Sequence, residues 1–321
     1  TAVFSRLLHA DDPEFKTKLN LIWEKLPAEA RTIELQTTVA NRLLHSSDPE
    51  LALEYINALP DKERYPLMHR AMDRLAEARS PRAAEIMQSL PQAHLPRTPT
   101  VKKVIVEWGL REPEKAMEWS NSIQDSELRE AALARMNTVL GMLDPQLAID
   151  QALAAPQGSL RVTLIRNTAL TLAKANLTEG LAWVDSLPES AGKKSALESM
   201  AHLTDRMPAE QLVFEGLKLK QTVAAKDFVD QVFNRWCQRN IQDAAEWYLS
   251  QPESRRNRGR THDVCYLLVH SDPELAINYI LSDSMPLEMR KRTFDNYLNR
   301  YSKRPEMLDP LLNEMDFHGS N

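Results

Sequence analysis

Seven small residues fall on a near-constant ruler: Ala52, Ala83, Ala116, Ala148, Gly180, Ala244 and Ala276 are separated by 31, 33, 32, 32, 64 and 32 positions. Self-similarity at a period of 20 to 50 residues marks arrays of supersecondary units, each of which can bury its apolar face only against its neighbours. This one feature excludes most folds before any other residue is considered.

Each small residue opens the same phrase, in which positions i, i+3, i+4 and i+7 share one face of a helix. In register the phrases read Ala52, Tyr55, Ile56, Leu59; Ala83, Ile86, Met87, Leu90; Ala116, Trp119, Ser120, Ile123; Ala148, Gln151, Ala152, Ala155; Gly180, Trp183, Val184, Leu187; Ala244, Trp247, Tyr248, Gln251; and Ala276, Tyr279, Ile280, Asp283. A small residue followed one turn later by a large one suits close helix packing, because the missing volume admits a neighbouring helix.

Punctuation agrees. Asp12-Pro13, Asp48-Pro49, Ser80-Pro81, Glu112-Pro113, Asp144-Pro145 and Asp272-Pro273 are start signals, with a capping side chain before a proline that loses no hydrogen bond at the first helical position. Leu26-Pro27, Leu59-Pro60, Leu90-Pro91, Ala155-Pro156, Leu187-Pro188 and Gln251-Pro252 are stop signals, since the residue before proline is pushed out of the α region. Short first helices are therefore expected near Pro13, Pro49, Pro81, Pro113, Pro145, Thr178, Pro208, Gln242, Pro273 and Pro305. The segments between them, such as Asp61 to Ala78 and Asp125 to Met142, hold a longer second helix. No stretch alternates in the manner of a strand, and only 8 glycines are available for hairpin turns.

The fold expected is all-α: a right-handed superhelical α-solenoid of about ten αα-hairpin repeats with a period of 32–33, forming a single domain over residues 1–321. The chain opens inside a second-type helix (Val3 to His9) and closes on a first-type one (Pro305 to Met315), which predicts atypical caps or a longer array. In the seventh unit Leu212 stands where alanine is expected, and the bulk predicts a change of curvature or a hinge, with simple decay of the repeat as the alternative.

The alternation of short and long helices, the Asp-x-x-x-Ala start and the period resemble the tetratricopeptide class of helical repeats over nearly the whole chain. Arg111-Glu-Pro-Glu-Lys-Ala-Met-Glu-Trp119, followed by Glu127-Leu-Arg-Glu-Ala-Ala-Leu-Ala-Arg135, is similar to degenerate tetratricopeptide-like solenoids of bacterial envelope and cytoplasmic proteins. The period falls short of 34, and the aromatic and glycine signature of the other helix is missing, so Sel1-like, HEAT-like and family-specific αα repeats stay as alternatives. The resemblance implies a curved surface that binds another macromolecule, usually a protein.

Several residues invite sharper chemistry. The aromatics Tyr55, Trp119, Trp183, Trp247 and Tyr279 could stack sugars or bases, but their inward register favours core packing. His9, His45 and His270 each precede an Asp-Pro start, where capping a helix C-terminus outweighs metal binding because equivalent positions in stacked units lie nearly a helix diameter apart. His262, Asp263, Cys265 and His270 lack an oxyanion cradle at a recognisable spacing. Cys237 and Cys265 are expected as two buried free thiols. No phosphate-binding glycine loop, zinc-protease helix, nucleophile elbow or Cys-x-x-Cys pair is present, so no catalytic, cofactor or metal site is assigned.

The candidate partner-binding residues are Arg255, Arg256, Arg258 and Arg260, continued by Arg290 and Arg292. Their guanidiniums could clamp a phosphate or a carboxylate-rich segment. Net charge of −5 gives no general attraction for nucleic acid, and no apolar run is long enough to insert in a membrane. The function expected is a non-enzymatic protein- or peptide-binding scaffold without cofactors. The alternatives are nucleic-acid binding through the C-terminal basic stripe, and a helical scaffold region of a cell-envelope protein. Localisation stays open, because the chain begins at Thr1 rather than at Met.

Overall fold

The computed structural model describes residues 15–46, 48–251, 258–282 and 285–309. Among these the structure is all-helical, with short and long α-helices in alternation and no strand. The short helices are Ala52–Asn57, Arg82–Ser89, Pro113–Ser122, Pro145–Ala154, Leu177–Ser186, Ala209–Gly216, Ile241–Ser250 and Pro273–Leu281. Between and after them run Asp61–Glu77, Thr98–Arg111, Ser126–Leu143, Ser159–Ala175, Ala191–Met200 with a 3-10 turn to Asp205, Val223–Arg239, Arg258–Ser271 and Leu287–Tyr301. Two helices come earlier, Phe15–Lys25 and Ile33–Leu43. The expected helices at Val3 to His9 and in the last part of Pro305 to Met315 lie outside the described residues, as does the start signal at Asp12-Pro13.

Local chemistry sets these boundaries. Asp48, Asp144 and Asp272 each accept a backbone N–H of the first turn, and Asp125, Asn176, Ser190, Thr222 and Asn240 do the same for helices without a leading proline. At the other end Leu90, Ala155, Leu187 and Gln251, each followed by proline, have extended ψ angles of 138°, 141°, 147° and 145°.

The chain forms two compact units, Thr1–Leu164 and Ile165–Asn321. Within each, the principal contacts join a helix only to the next one or the next but one in chain order. In the first unit Asp61–Glu77 packs on Thr98–Arg111, and that helix on Ser126–Leu143, with the short helices against their flanking long ones. In the second, Val223–Arg239 packs on Arg258–Ser271 and that helix on Leu287–Tyr301. All seven ruler positions are buried. At Gly180 a Cβ would stand 2.6 Å from the backbone nitrogen of Ala173, so backbone meets backbone with no room for a side chain.

Leu212 is fully buried, and the missing small residue is supplied one turn later by Gly216, where a Cβ would stand 2.7 Å from the Phe228 ring. The close approach has moved along the helix rather than vanished.

Two hydrogen-bonding devices recur with the repeat. Arg129, Arg161 and Lys193 stand thirteen residues after Ala116, Ala148 and Gly180. They donate to the carbonyls of Ile123 (2.8 Å), Ala155 (3.1 Å) and Leu187 (3.2 Å), the last position of each phrase, where the short helix leaves its carbonyls unpaired. Lys193 is only 3% exposed and also reaches Asp185 O and Glu189 Oε1. Secondly, long helices reach the carbonyls at the end of the preceding long segment: Arg74 to Leu44, Arg111 to Arg79, Arg239 to Thr204 and Tyr301 to Val269. Neither device was visible in the apolar pattern, because every donor but Tyr301 is a basic residue.

Candidate partner-binding grooves

The arginine cluster is divided by the structure. Arg255 and Arg256 lie outside the described residues, and so does the side chain of Arg258 at the start of its helix. Arg260 is 9% exposed, and its Nε donates to Asp230 Oδ1 at 2.7 Å on the preceding long helix. Arg290 Nε donates to the Ile280 carbonyl (2.8 Å), closing the short helix Pro273–Leu281. Arg292 faces Glu288 at 3.7 Å, one turn back on its own helix. The three described guanidiniums thus turn to three different elements of the fold.

The histidine and cysteine candidates are similarly occupied. Nδ1 of His45 donates to Asn41 O and that of His270 to Tyr266 O, both at 2.8 Å, so each ring caps a carbonyl of its own last turn. His9 is outside the described residues. Cys237 and Cys265 are free and buried, and burial pushes both thiols up, Cys237 to about 12. Among the described residues no group of three His, Cys, Asp or Glu could hold a metal ion.

The aromatic series packs at the margin of the core. Tyr55 is buried, but Trp119, Trp183, Trp247 and Tyr279 are half-buried, and the residues one position later (Ile56, Ser120, Val184, Tyr248, Ile280) are the buried ones. Two of the rings lean on the preceding long helix: Trp119 lies 5.8 Å from Trp108, and Trp247 lies 5.8 Å from Phe233 and 5.6 Å from Trp236. An indole is large enough to cover that seam while its edge stays at the surface.

The fifth repeat has no such ring. Gln151 occupies the aromatic position and Ala155 the position held by Leu59, Leu90, Ile123 and Leu187 in other repeats. The partner on the long helix has changed with it, since Asn137 and Gln151 stand fourteen residues apart, as Phe233 and Trp247 do. Asn137 Nδ2 donates to Gln151 Oε1 (3.1 Å) and to the Ala148 carbonyl (3.0 Å).

A groove of about 630 Å³ opens at this point between Pro113–Ser122 and Pro145–Ala154. Its walls carry Met117, Leu133, Leu140, Leu143, Leu147, Leu160 and Leu164, with Glu114, Asn121 and Asp144 at polar positions. Leu143 and Leu147 are 47% and 48% exposed, so large apolar surface faces water. Sequence reasoning missed this site: the phrase Ala148, Gln151, Ala152, Ala155 shows small and polar residues but not the void that they border.

The second unit has a counterpart of about 840 Å³, lined by Phe214, Lys218, Lys226, Asp230, Trp247 and Arg260 among others. Trp247 and Arg260 stand three and sixteen residues after Ala244, as Gln151 and Leu164 do after Ala148. One site in the repeat is therefore apolar in one unit and charged and aromatic in the other. Comparison with protein-family models, curated proteins and solved structures finds no match for this chain.

Proposed function

We propose that the chain is a tetratricopeptide-like α-solenoid, a right-handed superhelix of about ten αα-hairpin repeats, that serves as a protein-binding scaffold with no chemistry of its own. Packing limited to neighbours in chain order supports the solenoid. The observation that carries the binding function is the leucine-lined groove at Pro113–Leu164, with exposed Leu143 and Leu147 at its mouth. Apolar surface of this kind, bordered by polar groups, is the anatomy of a protein contact. Among the described residues, no helix is long and apolar enough to cross a membrane.

The test is capture from an extract of the source cell at low and high salt, with wild-type chain and with Leu147→Glu. A protein retained at both salts by the wild type and lost with Leu147→Glu is the expected result. Nucleic acid held only at low salt, and released when Arg255, Arg256, Arg258 and Arg260 become alanine, would overturn the proposal in favour of a basic interface.

A further inference from the structure

The groove of the first unit also indicates what fills it. In three other repeats the short helix carries an aromatic residue and, four positions later, a branched aliphatic one: Tyr55 and Leu59, Trp119 and Ile123, Trp183 and Leu187. Trp119 lies 5.8 Å from Trp108 on the preceding long helix, and Trp247 lies 5.6 Å from Trp236 in the same way. At Gln151 and Ala155 both are missing, and the groove beside them is lined by the buried Leu133, Leu140 and Leu164 and by the exposed Leu143 and Leu147. Leu143 and Leu147 meet water there, so an apolar body that enters the groove removes their surface from water and gains dispersion contacts.

We infer that this groove receives one amphipathic α-helix of a partner protein, which presents an aromatic residue, a leucine-sized residue four positions later, and a Lys or Arg beside them. This inference rests on the protein-binding function proposed above and specifies the partner. The spacing follows from the fold: the absent pair is an i, i+4 pair, which only a helix presents on one face. An extended peptide would gain little, because the walls are helices whose backbone groups are already paired and offer no edge to extend.

Charge selects the basic residue. Glu114 and Asp144 border the groove, and among the described residues neither carboxylate is matched with a cation; Asp144 accepts only the Leu147 N–H, through Oδ1. An ammonium or guanidinium on the incoming helix would complement both, whereas an acidic helix would be repelled.

The probe is a synthetic, lactam-stapled helix of about four turns with Trp at i, Leu at i+4 and Lys beside them, titrated by calorimetry into the full chain. Saturable one-to-one binding is expected, weakened at least about tenfold when the peptide Trp becomes Ala. It should weaken severalfold when the peptide Lys becomes Glu, an effect that shrinks at high salt.

The double substitution Gln151→Trp with Ala155→Leu rebuilds the phrase from within and should abolish binding while the far-ultraviolet spectrum stays helical. Should that variant fail to fold, Glu114→Lys on the exposed rim makes the same test, with the Lys peptide weakened and the Glu peptide improved. Equal binding to wild-type and groove-filled chains would overturn the inference. So would a self-association of the wild type that the groove-filled chain loses, since a second copy would then be the occupant. If no peptide binds but capture still depends on Leu147, the scaffold function stands and the assigned occupant is wrong. If capture fails as well, both fall.

Discussion

Replacing Gly180 by alanine separates a reading by repeat alignment from a reading by structure. Alignment recommends the change, because six of the seven ruler positions are already alanine and glycine inside a helix is worse than alanine by about 1 kcal/mol. The structure opposes it. A Cβ at Gly180 would lie 2.6, 2.7 and 2.9 Å from N, Cα and Cβ of Ala173, all of them backbone or backbone-attached atoms that no rotamer change can move. Overpacking of a tight core contact costs about 1–3 kcal/mol, and a contact with backbone belongs at the upper end. Set against the propensity gain, the net loss is about 1–2 kcal/mol.

The helices Leu177–Ser186 and Ser159–Ala175 should bear that loss locally, since in a repeat array the damage stays near the altered interface. Hydrogen exchange resolved by residue is therefore the assay of choice, backed by urea unfolding of the whole chain. Faster exchange in those two helices and an earlier transition are expected, with Gly180→Ser slightly worse than alanine. A Gly180→Ala chain as stable as the wild type, or more so, would refute the claim that this contact is backbone-limited.

Two further perturbations test the interior. Burial and the nearby Asp263 carboxylate raise the Cys237 thiol from its ordinary 9.0 to about 12, so it should resist maleimide at pH 8 until the chain is unfolded. This group leaves stability unchanged below pH 9, where both states hold the proton. Stability then falls from pH 9 towards 12, because only the unfolded thiol ionises, and Cys237→Ala should remove that part of the alkaline slope in urea titrations. Lys193→Ala withdraws a buried cation from the Leu187 and Asp185 carbonyls, and should cost about 2–3 kcal/mol in the same unfolding assay. Arg129→Ala, which loses the equivalent bond to Ile123 in a more open setting, should lose about half as much.

Much of the fold was legible because its signals are local. Asp144 caps through its own side chain, Ala155 is extended because Pro156 follows, and the face bearing Ala148 and Ala152 is set by helical geometry alone. The ruler of small residues marked where helices approach, and the histidine caps at His45 and His270 followed from their place in the last turn. These features need no knowledge of what lies across the interface.

The candidate site was not legible in that way. Four arginines in six residues read as a charged surface, yet Arg260 is buried because the helix Val223–Arg239, thirty residues earlier, sets Asp230 against it. Trp247 read as core; it is partly buried, and only the tertiary structure sets Phe233 and Trp236 against its ring.

The sequence by itself determined helices, caps, register and the small contacts, because these depend on sterics and hydrogen bonds within a few residues. Tertiary structure alone decided that a groove opens beside Gln151 and Ala155. A void is the difference between the volumes supplied by several helices, and no single segment encodes that difference.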